Sequence, residues 1–153
     1  MSLRLVMAVA AALSQASDPT KDPATRELAK LQGTWVMVGA EEKGNPLTPQ
    51  EVKEEDWTLV VKGNTLTWLR RGKVAQRWTV RLDPKKQPAT MDLIYPDGSG
   101  TNHALYSLTG DKFTLCVSKK FKPNEPKHRP KKLTTRKGGD QPGMVLCTFE
   151  RQK

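Results

Sequence analysis

Long apolar runs are almost missing from this 153-residue sequence. After one near the start, Leu5 to Leu13, nothing is apolar enough to cross a bilayer, which takes about 20 residues. No transmembrane segment is therefore expected. Histidine is scarce, with His103 and His128 alone, and so is cysteine, with Cys116 and Cys147. No two of these four stand at zinc-ligand spacing, so no metal site is expected. No G-x-S-x-G elbow, H-E-x-x-H helix or glycine-rich phosphate loop occurs, and no spacing of Ser, His, Asp or Glu selects a triad. Asp97-Gly98-Ser99-Gly100 lacks the spaced carboxylates of a calcium loop and reads as a hairpin turn. No catalytic residue and no cofactor are therefore expected, and the protein is expected to bind rather than react; an enzyme with its site at the barrel mouth is a third reading, behind an interaction module.

What is present begins at the N-terminus. Arg4, the apolar run to Leu13 and the small residues Ser14 and Ala16 around Gln15 follow the order of a secretory signal. Residues 1–16 are expected to be removed by cleavage near Ala16, and the protein to be periplasmic or extracellular. The alternative is an N-terminal helix packed on the domain. No Cys follows the run to carry a lipid anchor. Residues 17–27, with two prolines among polar side chains, read as a solvated leader, and residues 28–153 as one domain. In an oxidising compartment Cys116 and Cys147 could form one disulfide; they could equally be two separate buried thiols.

From Trp35 onward the pattern is strand after strand. Trp35 to Val38 is the first run. Thr48-Pro49-Gln50-Glu51 carries the cap, proline and acid of a helix start, which predicts one or two turns over Pro49–Glu55. Trp57, Leu59 and Val61 alternate into a Gly63-Asn64 turn, and Leu66 and Trp68 alternate out of it. Val74, Gln76, Trp78, Val80 and Leu82 share a face in the next run. Met91, Leu93 and Tyr95 follow, then Ala104, Tyr106 and Leu108, then Phe113, Leu115 and Val117, and last Met144 to Phe149. Eight short strands joined mostly by tight turns cannot pair in parallel, which needs crossovers of a dozen or more residues. Alternation buries one face, and closing the sheet removes its edges. The expected fold is all-β: an eight-stranded antiparallel up-and-down barrel with a short N-terminal helix and one short helix after strand one. A two-sheet sandwich is the competitor.

Gly33-Thr34-Trp35, leading from the helix into strand one, resembles the G-x-W opening of lipocalin-like (calycin) barrels. That resemblance implies an Arg beyond the last strand packed on the Trp, and Arg151 stands in the matching place. The pieces "LQGTWVMV", "LVVKGNTLT", "VRLDPKKQPATMDLIY", "YSLTGDKFTLCVS", "RPKKLTT" and "VLCTFERQK" also resemble a family of uncharacterised domains from planctomycete bacteria, in order over residues 28–153. The family implies an exported lipocalin-like barrel and supplies neither an activity nor a ligand.

Two features are left for function. Trp57, Trp68 and Trp78 could line a pocket for a small apolar ligand, or could simply fill the barrel. The segment Lys119 to Lys137 holds nine basic residues, Lys119, Lys120, Lys122, Lys127, Arg129, Lys131, Lys132, Arg136 and Lys137, against the single acid Glu125. Three prolines and no periodicity make it a loop between strands seven and eight. It could contact envelope polyanions or a partner protein, or it could be a solvated loop. Specific nucleic-acid binding is not expected, because only Phe121 is there to stack on a base.

Overall fold

A computed structural model describes residues 21–120, 122–136 and 143–153. Residues 1–16, expected to be a secretory signal, the first residues of the expected 17–27 leader, Phe121 and residues 137–142, Lys137 among them, lie outside the described residues. The strands are β1 (Gly33–Glu42), β2 (Asn45–Pro46), β3 (Trp57–Lys62), β4 (Thr65–Arg70), β5 (Lys73–Asp83), β6 (Ala89–Ile94), β7 (Thr101–Thr109), β8 (Lys112–Ser118) and β9 (Met144–Arg151). All but β2 form a closed antiparallel barrel in which each strand pairs with its neighbours in the chain. β1 closes it. Its first residues pair with β3, from Gly33 opposite Val61 to Val36 opposite Thr58. From Trp35 onward it also pairs with β9, from Trp35 opposite Arg151 to Glu42 opposite Val145. The fold is thus the all-β barrel expected, not a sandwich. β2 is a two-residue addition that folds back on the end of β1.

Period-two alternation decides which residues fill the interior. Trp35, Trp68, Trp78, Tyr106, Phe113 and Phe149 are fully buried. Trp68 sits at their centre, edge-on to Trp57 at 5.6 Å, Trp78 at 6.1 Å and Phe149 at 5.6 Å between ring centroids. Such edge-to-face pairs add to the area they bury. Two bulges adjust the register. One sits between Met37 and Gly39, where Val38 is exposed as the extra residue, and brings Ala40, opposite Cys147, rather than Gly39 to the core side. The other inserts Ala75 opposite the step from Trp68 to Leu69, pairing Leu69 with Val74. Val74 is therefore exposed rather than on the interior face with Trp78, as alternation alone had it. A bulge is an extra residue that shifts side chains across the sheet, and composition does not announce it.

α1 (Pro23–Leu31) closes one end. The Asp22 side chain accepts the Thr25 N–H at 2.9 Å and Pro23 takes the first helical position, so the ordered domain starts before residue 28 and takes up most of the expected leader. Leu31 is buried, and Ala24 and Leu28 pack on the core. Trp35 Nε1 donates to the Leu31 carbonyl at 2.8 Å. The Arg151 guanidinium lies 4.3 Å from the centre of the Trp35 ring. It donates to the carbonyls of Lys30 and Gln32, both at 2.6 Å, and to Asp111 at 3.0 Å. One cation thus stacks on Trp35 and satisfies carbonyls at the end of the helix. α2 (Pro49–Glu55) lies near the opposite end, with the expected bounds and a capping box between Thr48 and Glu51.

The connection after β8 lies across the outer face of the barrel, with one short 3-10 turn at Pro126–His128. Leu133 packs there with Leu105, Cys116, Met144 and Leu146. That cover explains why Ala104, Leu105 and Tyr106 are buried in succession. Neither cysteine is in a disulfide. Cys147 pairs with Leu115 and faces the interior, while Cys116 pairs with Leu146 and faces the outer cluster. Adjacent register positions point to opposite sides of a sheet, so the disulfide alternative is excluded.

Candidate functional site

The barrel's central section is filled, but the end opposite α1 is open. There β1, the β2 turn, α2, β3, β4 and β9 surround a cavity of about 350 Å³. Its volume falls at the lower end of the range of small-molecule pockets, about 300–1,000 Å³. Met37 and Ala40 from β1, Leu47, Val145 and Cys147 from β9, Trp57 and Trp68 give it apolar walls. Trp57 is half-buried and Trp68 is sealed beneath it. Trp78, expected alongside them, does not line this cavity; it is fully buried beyond Trp68, against Tyr95 at 6.0 Å. Of the three tryptophans, two reach the cavity and one only fills the barrel.

The rim is polar. Glu41 and Glu42 end β1, Glu51 and Glu55 come from α2, and Lys119 follows β8. Glu55 accepts from Trp57 Nε1 at 3.1 Å and pairs with Arg70 at 2.8 Å. Arg70 itself lies 5.4 Å from the Trp57 ring centre. These contacts fix the indole that meets the cavity. Lys119 pairs with Glu42 at 2.6 Å, and Thr135 Oγ1 donates to Glu41 at 2.7 Å. Both ends of the long connection are thereby tied to the cavity rim. The sequence held a signal for this: residues 41–56 carry six acids against two lysines in a chain of net charge +10. Their convergence on one opening depends on β1, α2 and β3 meeting in space, which spacing along the chain does not reveal.

The nine basic residues do not act alike. Arg129, expected to contact polyanions, is turned inward: its Nη2 reaches Asp92 Oδ1 at 2.5 Å and its Nη1 donates to the Ala104 carbonyl at 2.8 Å. His103 Nδ1 lies 2.9 Å from the same carboxylate oxygen, and Arg81 approaches the other at 2.9 Å. Burial raises the Asp92 pKa, but the hydrogen bonds from Arg129, Arg81 and His103 outweigh it and hold the carboxyl at about 2. A partly buried carboxylate needs such partners, and Arg129 supplies the fork that matches it. Asn124 adds a second clamp, accepting the His103 N–H at 2.6 Å. Lys127 pairs with Glu125, and Arg136 lies 3.9 Å from Glu41. Lys120, Lys122, Lys131 and Lys132 are exposed. His103 thus has partners that its position in the sequence did not show, and their role is to fasten a loop. Among the described residues no group of His, Cys, Asp or Glu could hold a metal ion.

No family model matches the chain, and no curated protein matches it. Among solved structures, Rv2717c from M. tuberculosis is similar at 18% identity and a TM-score of 0.33, over 86% of this chain and 99% of that one. A likeness that loose leaves function to be argued from the geometry alone.

Proposed function

We propose that this protein is an exported binding protein that takes a small, largely apolar molecule in the mouth of its barrel. The observation that carries the reading is the cavity of about 350 Å³ with Trp57 and Trp68 in its wall. A rigid aromatic surface fixed by Glu55 and Arg70 offers a ligand contact area at little entropic cost. No spacing of residues in the sequence suggests a reaction, and the buried aromatics leave no room for a ligand deeper in the barrel. Export is supported by the charged, apolar and small-residue order over residues 1–16, and the lipocalin-like character by Gly33-Thr34-Trp35 with Arg151 stacked on the Trp.

The test uses N-phenyl-1-naphthylamine, a neutral apolar dye that brightens when it leaves water. Binding should raise its emission, shift the indole N–H resonances of Trp57 and Trp68, and leave those of Trp35 and Trp78 in place. Trp57→Ala should weaken binding roughly tenfold or more. A folded protein that does not brighten the dye, or one whose Trp35 and Trp78 signals move instead, overturns the reading.

The exposed lysines favour a second reading. Lys120, Lys122, Lys131 and Lys132 present a basic surface on the outer face, suited to an anionic polymer or an acidic partner protein. Replacing these four with Ser should abolish retention on heparin; unchanged retention removes this reading.

A further inference from the structure

The pocket's rim and its wall pull in the same chemical direction. Four carboxylates, Glu41, Glu42, Glu51 and Glu55, line it; Lys119 and Arg70 pair with Glu42 and Glu55 and Arg136 lies 3.9 Å from Glu41, which leaves the rim one negative charge in excess. Each carboxylate is oriented by its own chain. Thr135 holds Glu41, Lys119 holds Glu42, the Thr48 backbone N–H and hydroxyl hold Glu51, and Trp57 with Arg70 holds Glu55. These partners bind through one oxygen of Glu42, Glu51 and Glu55, and a carboxylate offers about four lone-pair sites over its two oxygens. The acids are therefore preset without being used up. Beside them lies an indole that already carries a guanidinium near its face, Arg70 on Trp57. Aromatic faces next to carboxylates are the environment that recognises an ammonium group.

We propose that the ligand of the mouth pocket is an organic cation, an apolar body ending in an ammonium or guanidinium group. This rests on the pocket being a binding site. The apolar body lies between Met37, Trp57 and Trp68, and the charged head sits at the rim among the glutamates. An anionic ligand of the same shape is disfavoured by the same four acids, although the protein as a whole is strongly basic.

A matched series separates the two claims: phenylbutylamine, phenylbutanol and phenylbutyrate share one body and differ only in head charge. Each is titrated by calorimetry and followed at the indole N–H resonances of Trp57 and Trp68. The amine should bind about fivefold more tightly than the alcohol, the scale of one partly exposed ion pair, and the acid more weakly than either. The amine's advantage should shrink with added salt. It should vanish in the Glu41→Gln, Glu42→Gln double variant, in which glutamine keeps an acceptor oxygen for Thr135. Should that variant fail to fold, Lys119→Met carries the test, and it should tighten amine binding. Equal binding of amine and alcohol at Trp57 and Trp68 overturns the cation assignment and leaves the pocket standing. Tightest binding by the acid overturns it too. If neither this series nor the neutral dye binds, the pocket reading itself falls.

Discussion

Asp92→Asn removes the charge at the centre of the loop's fastening while keeping its shape. In the folded protein the Asp92 carboxyl is held at about 2, against an ordinary value of 3.8. At 1.36 kcal/mol per unit, the carboxylate's differential interaction is about 2 kcal/mol. Because the folded value is depressed, that stability is fully present above about pH 4, the unfolded value, and is lost as pH falls through 2. The inward partners Arg129 and His103, whose side chains are 21% and 12% exposed, are the ones least weakened by water, whereas Arg81, at 69%, is more screened. The variant should therefore be about 2 kcal/mol less stable than the native chain at neutral pH, and the two should converge near pH 2. Urea unfolding followed by tryptophan fluorescence across that range measures the gap. Trypsin gives a second reading, since a loosened connection should be cut faster at Lys131 and Lys132. The reasoning is refuted if Asp92→Asn costs less than about 0.5 kcal/mol at neutral pH, the scale of an ordinary surface change, or if the gap persists undiminished near pH 2.

Other consequences are as direct. Trp68→Ala removes the hub of the aromatic core and should cost about 3–5 kcal/mol in urea unfolding, whereas Trp57→Ala at the cavity wall should cost clearly less. Arg151→Met loses the stacking on Trp35 and the bonds to the Lys30 and Gln32 carbonyls at the end of α1, and should cost about 2–4 kcal/mol, with earlier hydrogen exchange of the α1 amides as the local sign. Burial pushes the Cys116 and Cys147 thiols up to about 12. Ellman's reagent should therefore leave both untouched in the native protein and titrate both in denaturant, and a reducing agent should leave Tm unchanged.

The barrel was legible because alternation over short runs is a local property: Trp57-Leu59-Val61 and Met91-Leu93-Tyr95 state their faces within a few residues. The cap at Thr48 and Glu51 was local too, and α2 has the expected bounds. Asp22-Pro23 offered the same kind of signal for α1, but proline-rich polar surroundings read as leader. What stayed hidden is set by distance in the chain. Nothing near Arg129 points to Asp92, 37 residues away, so its charge counted toward a polyanion surface. Trp78 alternates in step with Val80 and Leu82, and only the three-dimensional stacking separates it from Trp57. The mouth cavity joins residues from 37 to 147, and its acidic rim emerges only when those segments meet.

The place where β1 lets go of β3 and takes up β9 sets the order in which the molecule can be completed. Seven of the barrel strands, β1 and β3 to β8, can add one after another as a growing antiparallel sheet, each hairpin local to the last. Such a sheet ends in two bare edges, β1 and β8, and only β9 covers both at once. A chain that has not yet released residues 144–151 is thus an open sheet with both flanks available for pairing with another copy. Closure joins residues more than a hundred positions apart, so it comes late and slowly. The danger of misassembly is concentrated in that interval, and truncation before Met144 should make it permanent.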